Sequence, residues 1–270
     1  MEGDGRGEVS VSAPRGLFRV LEQRVLYELG AFVAASPLLR LIGRGDRHPV
    51  MVMPGFTASD LSTLPLRWNI RQWGYWAHGW HLGANLGPTP EILDGIEARL
   101  DEIYERHRRT VSLVGWSLGG IYARELARAF PDKIRQVITL GSPFRMVEGD
   151  ESAATPLVRV LESHFDPEFA RLPEAVKPPL PVPSTAIYTR TDGVVRWHTC
   201  IDAAAPLHEN VEVYGSHTGL GVNPFVLFVI NDRLAQREGE WRPFRPPFWL
   251  RPAYPTPVTW VRQSRISRAA

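Results

Sequence analysis

Cysteine is almost absent: Cys200 is the only one in 270 residues, so no disulfide can form within the chain. That fits a reducing compartment, and a cytoplasmic location is expected. A single cysteine could act as a nucleophile, but such residues more commonly fill cores as small hydrophobes. An excess of one charge is also missing. The formal net charge is +2, which gives no electrostatic case for a nucleic-acid partner. The local exception is the stretch from Arg237 onward, where seven arginines face only Glu238 and Glu240. The opening "MEGDGRGEVSVSAPRG" has acids and glycines where a secretory signal needs a basic segment and an apolar run. The most apolar early stretch, "VLYELGAFVAASPLLRLI", is interrupted by Glu28 and Pro37 and falls short of the roughly 20 apolar residues of a membrane span. It is expected to form one or two amphipathic helices lying on the core or on a membrane surface. No fixed-period repeat occurs.

What is present is the composition of a globular chain, 44% hydrophobic and 22% charged, which argues against disorder. Short apolar runs alternate with helical patterns. "PVMVMP", "YWAHGW", "TVSLVG", "IRQVITLGSP", "STAIYTRTDG" and "NVEVYGSH" read as six strands in order. Between them lie "TLPLRWNIRQWG", "PEILDGIEARLDEIYERHRR" and "SLGGIYARELARAFP", with "PFVLFVINDRLAQRE" after the last. The second of these carries Thr89 as N-cap and Pro90 at its first position. Strands that are apolar throughout and alternate with helices predict an α/β fold, with a mostly parallel sheet of about six core strands covered on both faces. An insertion of roughly forty residues, 144–183, separates the fourth and fifth strands. It far exceeds the usual connection of about 2–6 residues and is placed to act as a lid or cap.

Gly115-Trp116-Ser117-Leu118-Gly119 matches G-x-S-x-G between a predicted strand and a predicted helix. In that context the glycines permit a strained turn that holds the serine hydroxyl out at the strand end. A serine needs a base to take its proton, a group to orient that base, and N–H donors for the developing oxyanion. Asp192 follows the fifth strand and His217 the sixth, where ligands of parallel sheets gather. They complete the order Ser…Asp…His. Asp192 also reads as a plain turn aspartate before Gly193, and Asp202 is an alternative acid further past the strand. Leu118, at the helix start, is the expected first oxyanion donor. Phe56 in "MPGFTASD" is the second, with Thr57 as its competitor. Trp68, Trp73, Trp76 and Trp80 cluster after that loop, and Trp116 adjoins the serine. Most of them are expected to fill the core. Thr57, Trp80, His81, Trp116 and Val194 are nonetheless candidates for the substrate pocket, and His78 is a further possibility beside it.

With "PGF", "GWSLGG", "RTDGVV" and "GSHTGLGVNP" in place, the sequence resembles the α/β-hydrolase superfamily, lipase/esterase type, over roughly residues 49–235. The resemblance implies Ser117 as nucleophile, His217 as base, Asp192 as orienting acid, and Phe56 and Leu118 as oxyanion donors. It also implies hydrolysis of hydrophobic esters through an acyl-enzyme. A thioesterase, acyltransferase or amidase would use the same machinery, and a non-catalytic binding protein would not. Two features depart from the pattern. Helices are predicted where fuller members have antiparallel strands before Pro49, and PGF replaces the HG start common in lipases. The chain then divides into an N-terminal helical segment (1–48), a catalytic domain (49–236) and a Pro/Arg/aromatic-rich tail (237–270). No metal-ligand cluster or phosphate-cradling loop is evident, so no metal and no cofactor are expected. Beyond the substrate, transient contact with a lipid surface or a homo-oligomer through the tail are the partners considered.

Overall fold

The computed structural model describes residues 14, 16–42, 45–146, 149–169 and 173–257. Six strands form one sheet: β1 (Pro49–Met53), β2 (Trp76–Gly79), β3 (Val111–Trp116), β4 (Ile134–Leu140), β5 (Ser184–Tyr188) and β6 (His208–Glu212). Their order is β2-β1-β3-β4-β5-β6 and every neighbouring pair is parallel. The helices are α1 (Gly16–Leu21), α2 (Val25–Leu39), α3 (Leu64–Gln72), α4 (Pro90–His107), α5 (Leu118–Ala129), α6 (Thr155–Leu161) and α7 (Pro224–Leu234). A short 3-10 turn, Glu22–Arg24, joins α1 to α2.

The two-residue period of the strands explains the layering. Val50 and Val52 of β1 enter a cluster with Val114, Ile138 and Ile187, closed by residues of α2, α3 and α7. Met51 and Met53 point the other way, into a cluster with Leu113, Val137 and residues of α4 and α5. Both faces of the central strands are therefore dry, which is why the strands read as unbroken apolar runs. α4 starts at Thr89, whose hydroxyl accepts the Ile92 N–H at 3.4 Å, and ends at Arg108 in a left-handed conformation (φ 51°). Asn223 caps α7 through the N–H groups of Phe225 and Val226. β6 lies about two residues earlier than its apolar run suggests, because its ladder follows β5 from Ser184 opposite His208.

α2 departs most from expectation. Pro37 sits within its last turn without ending it, and only Phe32 and Leu39 are buried. Leu26, Tyr27, Leu29, Val33 and Leu38 are exposed, so the helix is apolar nearly all round rather than amphipathic. Among the described residues no helix is long and apolar enough to cross a membrane. Part of the tail folds back on its own domain: the Phe244 N–H donates to Glu209, and the Tyr254 hydroxyl to the Phe225 carbonyl. The final arginines of the tail lie outside the described residues.

Candidate active site

Chain order reverses between β1 and β3: β2 extends the sheet one way and β4 to β6 the other. Loops leaving such a switch point open a crevice at the carboxyl ends of the strands. Gly55 after β1 and Ser117 after β3 meet there. A Cβ on Gly55 would lie 3.0 Å from that of Ser117. Ser117 has φ 53° and ψ −120°, a conformation that costs a non-glycine residue about 1–3 kcal/mol. Its surroundings hold it there. The Ser117 N–H donates to the Leu140 carbonyl at 2.8 Å. Side chains at Gly115, Gly119 or Gly120 would collide with the start of α5, the end of β1 or Ser142 respectively. The glycines of "GWSLGG" thus serve close packing around one strained serine.

Asp192 and His217 are brought together as the sequence suggested. His217 Nδ1 lies 2.7 Å from Asp192 Oδ2, with both residues buried. Asp192 Oδ1 accepts the N–H groups of Val194 and Val195, both at 2.8 Å, so the carboxylate is held at both oxygens. An imidazole whose Nδ1–H is engaged in this way presents Nε2 as a proton acceptor. Burial alone would push the His217 imidazolium down, but the charge and hydrogen bond of Asp192, with the charge of Glu22, outweigh it and raise its pKa. His217 sits against the end of β4, beside the carbonyl that anchors Ser117. A Cβ on Gly141 (φ 54°) would come 2.9 Å from His217 Nδ1. Gly141→Ala is therefore expected to displace the ring and lower turnover by about 10²-fold with the fold retained, measured as kcat beside circular dichroism.

Around these three residues the structure sorts the remaining candidates. The Thr57 N–H donates to the Asn85 carbonyl at 2.6 Å. Asn85, fully buried, also donates from its side chain to the Pro54 carbonyl, and so secures the loop containing Phe56. Its part was not visible in the sequence. Trp116 is directed at the loop bearing His217, its indole N–H donating to the His217 carbonyl at 3.1 Å with Gly221 packed against the ring. It props the histidine, and its ring is half-buried. Trp80 is completely buried in the core, with its indole N–H on the Gly83 carbonyl, so it lines no open cleft. His81 is exposed and in a left-handed conformation, its N–H held by Asp60. His78 Nε2 lies 2.9 Å from that of His107, on α4. Val194 is half-buried beside Tyr188 and Cys200. Cys200 is buried and its thiol is pushed well up by burial, with the charge of Asp192 adding to it, so it is a neutral core residue. A groove of about 380 Å³ between α4 and α5 reaches Arg128 and Ala129, at the end of α5 remote from Ser117.

Solved structures of similar fold include lipolytic enzymes. One of two metagenome-derived lipolytic enzymes, LipS and LipT, superposes with a TM-score of 0.54 at 17% identity, over 71% of this chain and 95% of the other. Lipase B of Aspergillus fumigatus superposes with a TM-score of 0.56 at 16% identity, over 72% of this chain and 53% of the other. The chain has the α/β-hydrolase fold. Among curated proteins it is similar to a pimeloyl-[acyl-carrier protein] methyl ester esterase of Aromatoleum aromaticum, 32% identical over 93 residues, covering 33% of this chain and 37% of that protein. An esterase of the same name from Shewanella woodyi is 26% identical over 121 residues, covering 44% of this chain and 45% of that protein. The chain thus spans less than half the length of these curated relatives. No protein-family model matches it.

A continuous hydrogen-bonded Ser–His–Asp chain occurs elsewhere in the fold. His48 Nδ1 lies 2.5 Å from Asp46 Oδ1, and His48 Nε2 lies 2.9 Å from Ser112 Oγ. It sits at the opposite end of the sheet, where β1 and β3 begin. Ser112 and His48 are fully buried, and Ser112 Oγ also accepts a 3.3 Å hydrogen bond from Gln136. Burial and the nearby charge of Arg135 push His48 down to about 4 despite Asp46. An ester carbonyl cannot reach a serine inside a strand of a closed core, and among the described residues no α-helix begins beside Ser112 to receive an oxyanion. This set is a structural bridge between the first strand and its neighbours.

Proposed function

We propose that the chain is a serine carboxylic-ester hydrolase, with Ser117 as nucleophile, His217 as general base and acid, and Asp192 as the group that orients the imidazole. The observation that carries this reading is the 2.7 Å Asp192–His217 hydrogen bond, packed against the strand end that anchors the strained Ser117. His217 Nε2 takes the hydroxyl proton as Ser117 Oγ attacks the ester carbonyl. The oxyanion is received by the N–H of Leu118, at the start of α5, and by that of Phe56. The prior commitment of Thr57 to Asn85 favours Phe56 as the loop donor. Collapse of the tetrahedral intermediate breaks the C–O bond to the alcohol, which leaves with the proton from the imidazolium. Water then attacks the acyl-enzyme by the same route, releasing the acid and restoring Ser117.

The substrate proposed is a hydrophobic ester. Charged groups beside the site are turned onto backbone partners, Asp192 toward Val194 and Val195 and Arg24 toward Thr191 and Gly215. Phe56, Trp116 and Leu118 are the half-buried apolar side chains next to Ser117 and Gly55. An acyl-length series of p-nitrophenyl esters, run beside the matching thioesters, tests this: turnover should rise with apolar chain length and favour the oxygen ester. A preference for charged acyl groups or for thioesters would overturn the substrate assignment. Because His217 must be neutral to act and its proton affinity is raised, the acidic limb of kcat/KM should fall above pH about 6.5.

A further inference from the structure

The loops that bear Asp192 and His217 are fastened to a part of the chain that the reaction does not otherwise use. Glu22, in the turn between α1 and α2, is half-buried against both of them. One carboxylate oxygen accepts the Gly193 N–H at 2.8 Å and the His217 N–H at 3.0 Å. The other accepts the Thr218 N–H at 2.9 Å and the Thr218 hydroxyl at 2.8 Å. A single side chain therefore grips the residue after the acid, the base itself and the residue after the base. Two neighbours extend the grip. Arg24 donates to the Thr191 hydroxyl at 3.0 Å, the Thr191 carbonyl at 3.3 Å and the Gly215 carbonyl at 3.0 Å. Glu28 accepts the Ser216 N–H at 2.9 Å, the Ser216 hydroxyl, and the Asn223 side chain at 3.2 Å.

The receiving loops are shaped for this contact. A Cβ on Gly193 would strike the Phe18 carbonyl and the Glu22 side chain. One on Gly215 or Gly219 would strike the Glu28 carboxylate. None of the three glycines has a positive φ. They are there for the approach of a neighbour, not for a turn that only glycine can make.

We propose that Glu22 is a positioning residue of the active site, its carboxylate locking the acid loop and the base loop into one unit so that His217 keeps its distance from Asp192. This rests on the serine-hydrolase reading above. The geometry also gives Glu22 an electrostatic reach to the imidazole. The charged and titratable groups around His217 are Asp192 from the loop after β5, Glu22 and Arg24 from the turn before α2, Glu28 from α2, and the neutral thiol of Cys200 behind Asp192. Of these, Asp192 and Glu22 favour the imidazolium. The carboxylate of Glu22 is opposed by burial but held below its usual range by the N–H groups of Thr218 and His217, so it is charged at neutral pH.

The test is the rate of Ser117 labelling by a fluorophosphonate, followed against pH in the full chain, with melting temperature measured in parallel. Glu22→Gln leaves one acceptor oxygen where two are needed and removes the charge. Labelling should slow by about 10- to 100-fold and its acidic limb should move to lower pH, because the imidazolium loses a stabilising neighbour. Glu22→Asp keeps the charge but shortens the reach, so the rate should fall while the limb stays in place. A purely structural Glu22 would lower the melting temperature and leave the limb of Glu22→Gln unmoved, and that result overturns the proposal. Should Glu22→Gln fail to fold, Glu22→Asp decides: a wild-type labelling rate overturns the proposal, and a slowed rate with an unmoved limb supports it. Wild-type protein that is not labelled at Ser117 would overturn the serine-hydrolase reading itself, and the positioning role with it. Wild-type labelling with unchanged variants would overturn the positioning role alone.

Discussion

Ser117→Ala is expected to leave a folded protein whose ester hydrolysis is lower by roughly 10⁴- to 10⁶-fold, while Ser112→Ala keeps turnover within about tenfold of the parent. The two serines make a controlled comparison, since Ser117 is the proposed nucleophile and Ser112 is hydrogen-bonded to a histidine that contacts Asp46. They differ in everything else the chemistry needs. Ser117 stands at a carboxyl strand end in a strained turn, ahead of the first amides of α5. Ser112 lies inside β3, fully buried and committed to His48 and Gln136. Removing the Ser117 Oγ takes away the bond-forming atom, so only binding and oxyanion stabilisation remain. Removing the Ser112 Oγ deletes two internal hydrogen bonds and leaves Gln136 and His48 short of a partner. Its cost should appear in stability, at about 1–3 kcal/mol. Steady-state kinetics with a p-nitrophenyl ester, beside urea unfolding of both variants, separates the cases. Loss of turnover in Ser112→Ala with Ser117→Ala unaffected would transfer the site to the other end of the sheet.

Asp202→Ala should be the most damaging change to stability, about 3–5 kcal/mol, with kcat of the folded fraction preserved. Asp202 is the alternative acid in the sequence, but its carboxylate is already engaged far from His217. It accepts both ends of the Arg124 guanidinium at 2.7 and 3.0 Å and the Ser184 hydroxyl at 3.0 Å. His208 Nδ1 lies 3.2 Å away. Arg124, only 1% exposed, reaches Glu174 on its other side, so the network ties α5 and the start of β5 to the insertion. Taking out Asp202 leaves a buried guanidinium with one carboxylate partner of two. Such a loss is a large share of the 5–15 kcal/mol that holds a typical domain folded. It should appear as a lower urea midpoint at unchanged slope. Burial pushes the Asp202 carboxyl up, but His208 and Arg124 hold it well below the usual carboxylate range. Its contribution is therefore complete above the unfolded carboxylate value of about 3.9 and lost as pH falls through the folded one. A folded Asp202→Ala without turnover would instead implicate Asp202 in the chemistry.

The residues of the proposed site were legible because each is announced locally. Ser117 has glycines at fixed spacing between a strand pattern and a helix pattern, and Asp192 and His217 each stand just past an apolar run. Direction was not legible. Trp116 and Trp80 lie near the crevice in sequence, yet one turns toward the base loop and the other into the core, and a tryptophan's period says nothing of which. The boundary of β6 was set by its partner strand, not by its own apolar residues. Glu22, Arg24 and Glu28 left no signal. Charges on a helical stretch read as a solvated face, and their partners lie 167 to 196 positions away. Asn85 was hidden for the same reason, as its side-chain contact with the start of the Phe56 loop crosses 31 positions.

That sequence separation has a consequence for how the molecule comes into being. Strands β1 to β5 can pair in the order in which they are synthesised, each new strand adding to the growing edge on one side or the other. The residues around Glu22 must wait for 171 further positions before Gly193 exists, and for 195 before His217 does. Contacts of such long range form late, since the chain between them must be ordered before they are gained. Pairing of the early strands and closure of the Glu22 contacts are therefore separate events, with the contacts the later of the two.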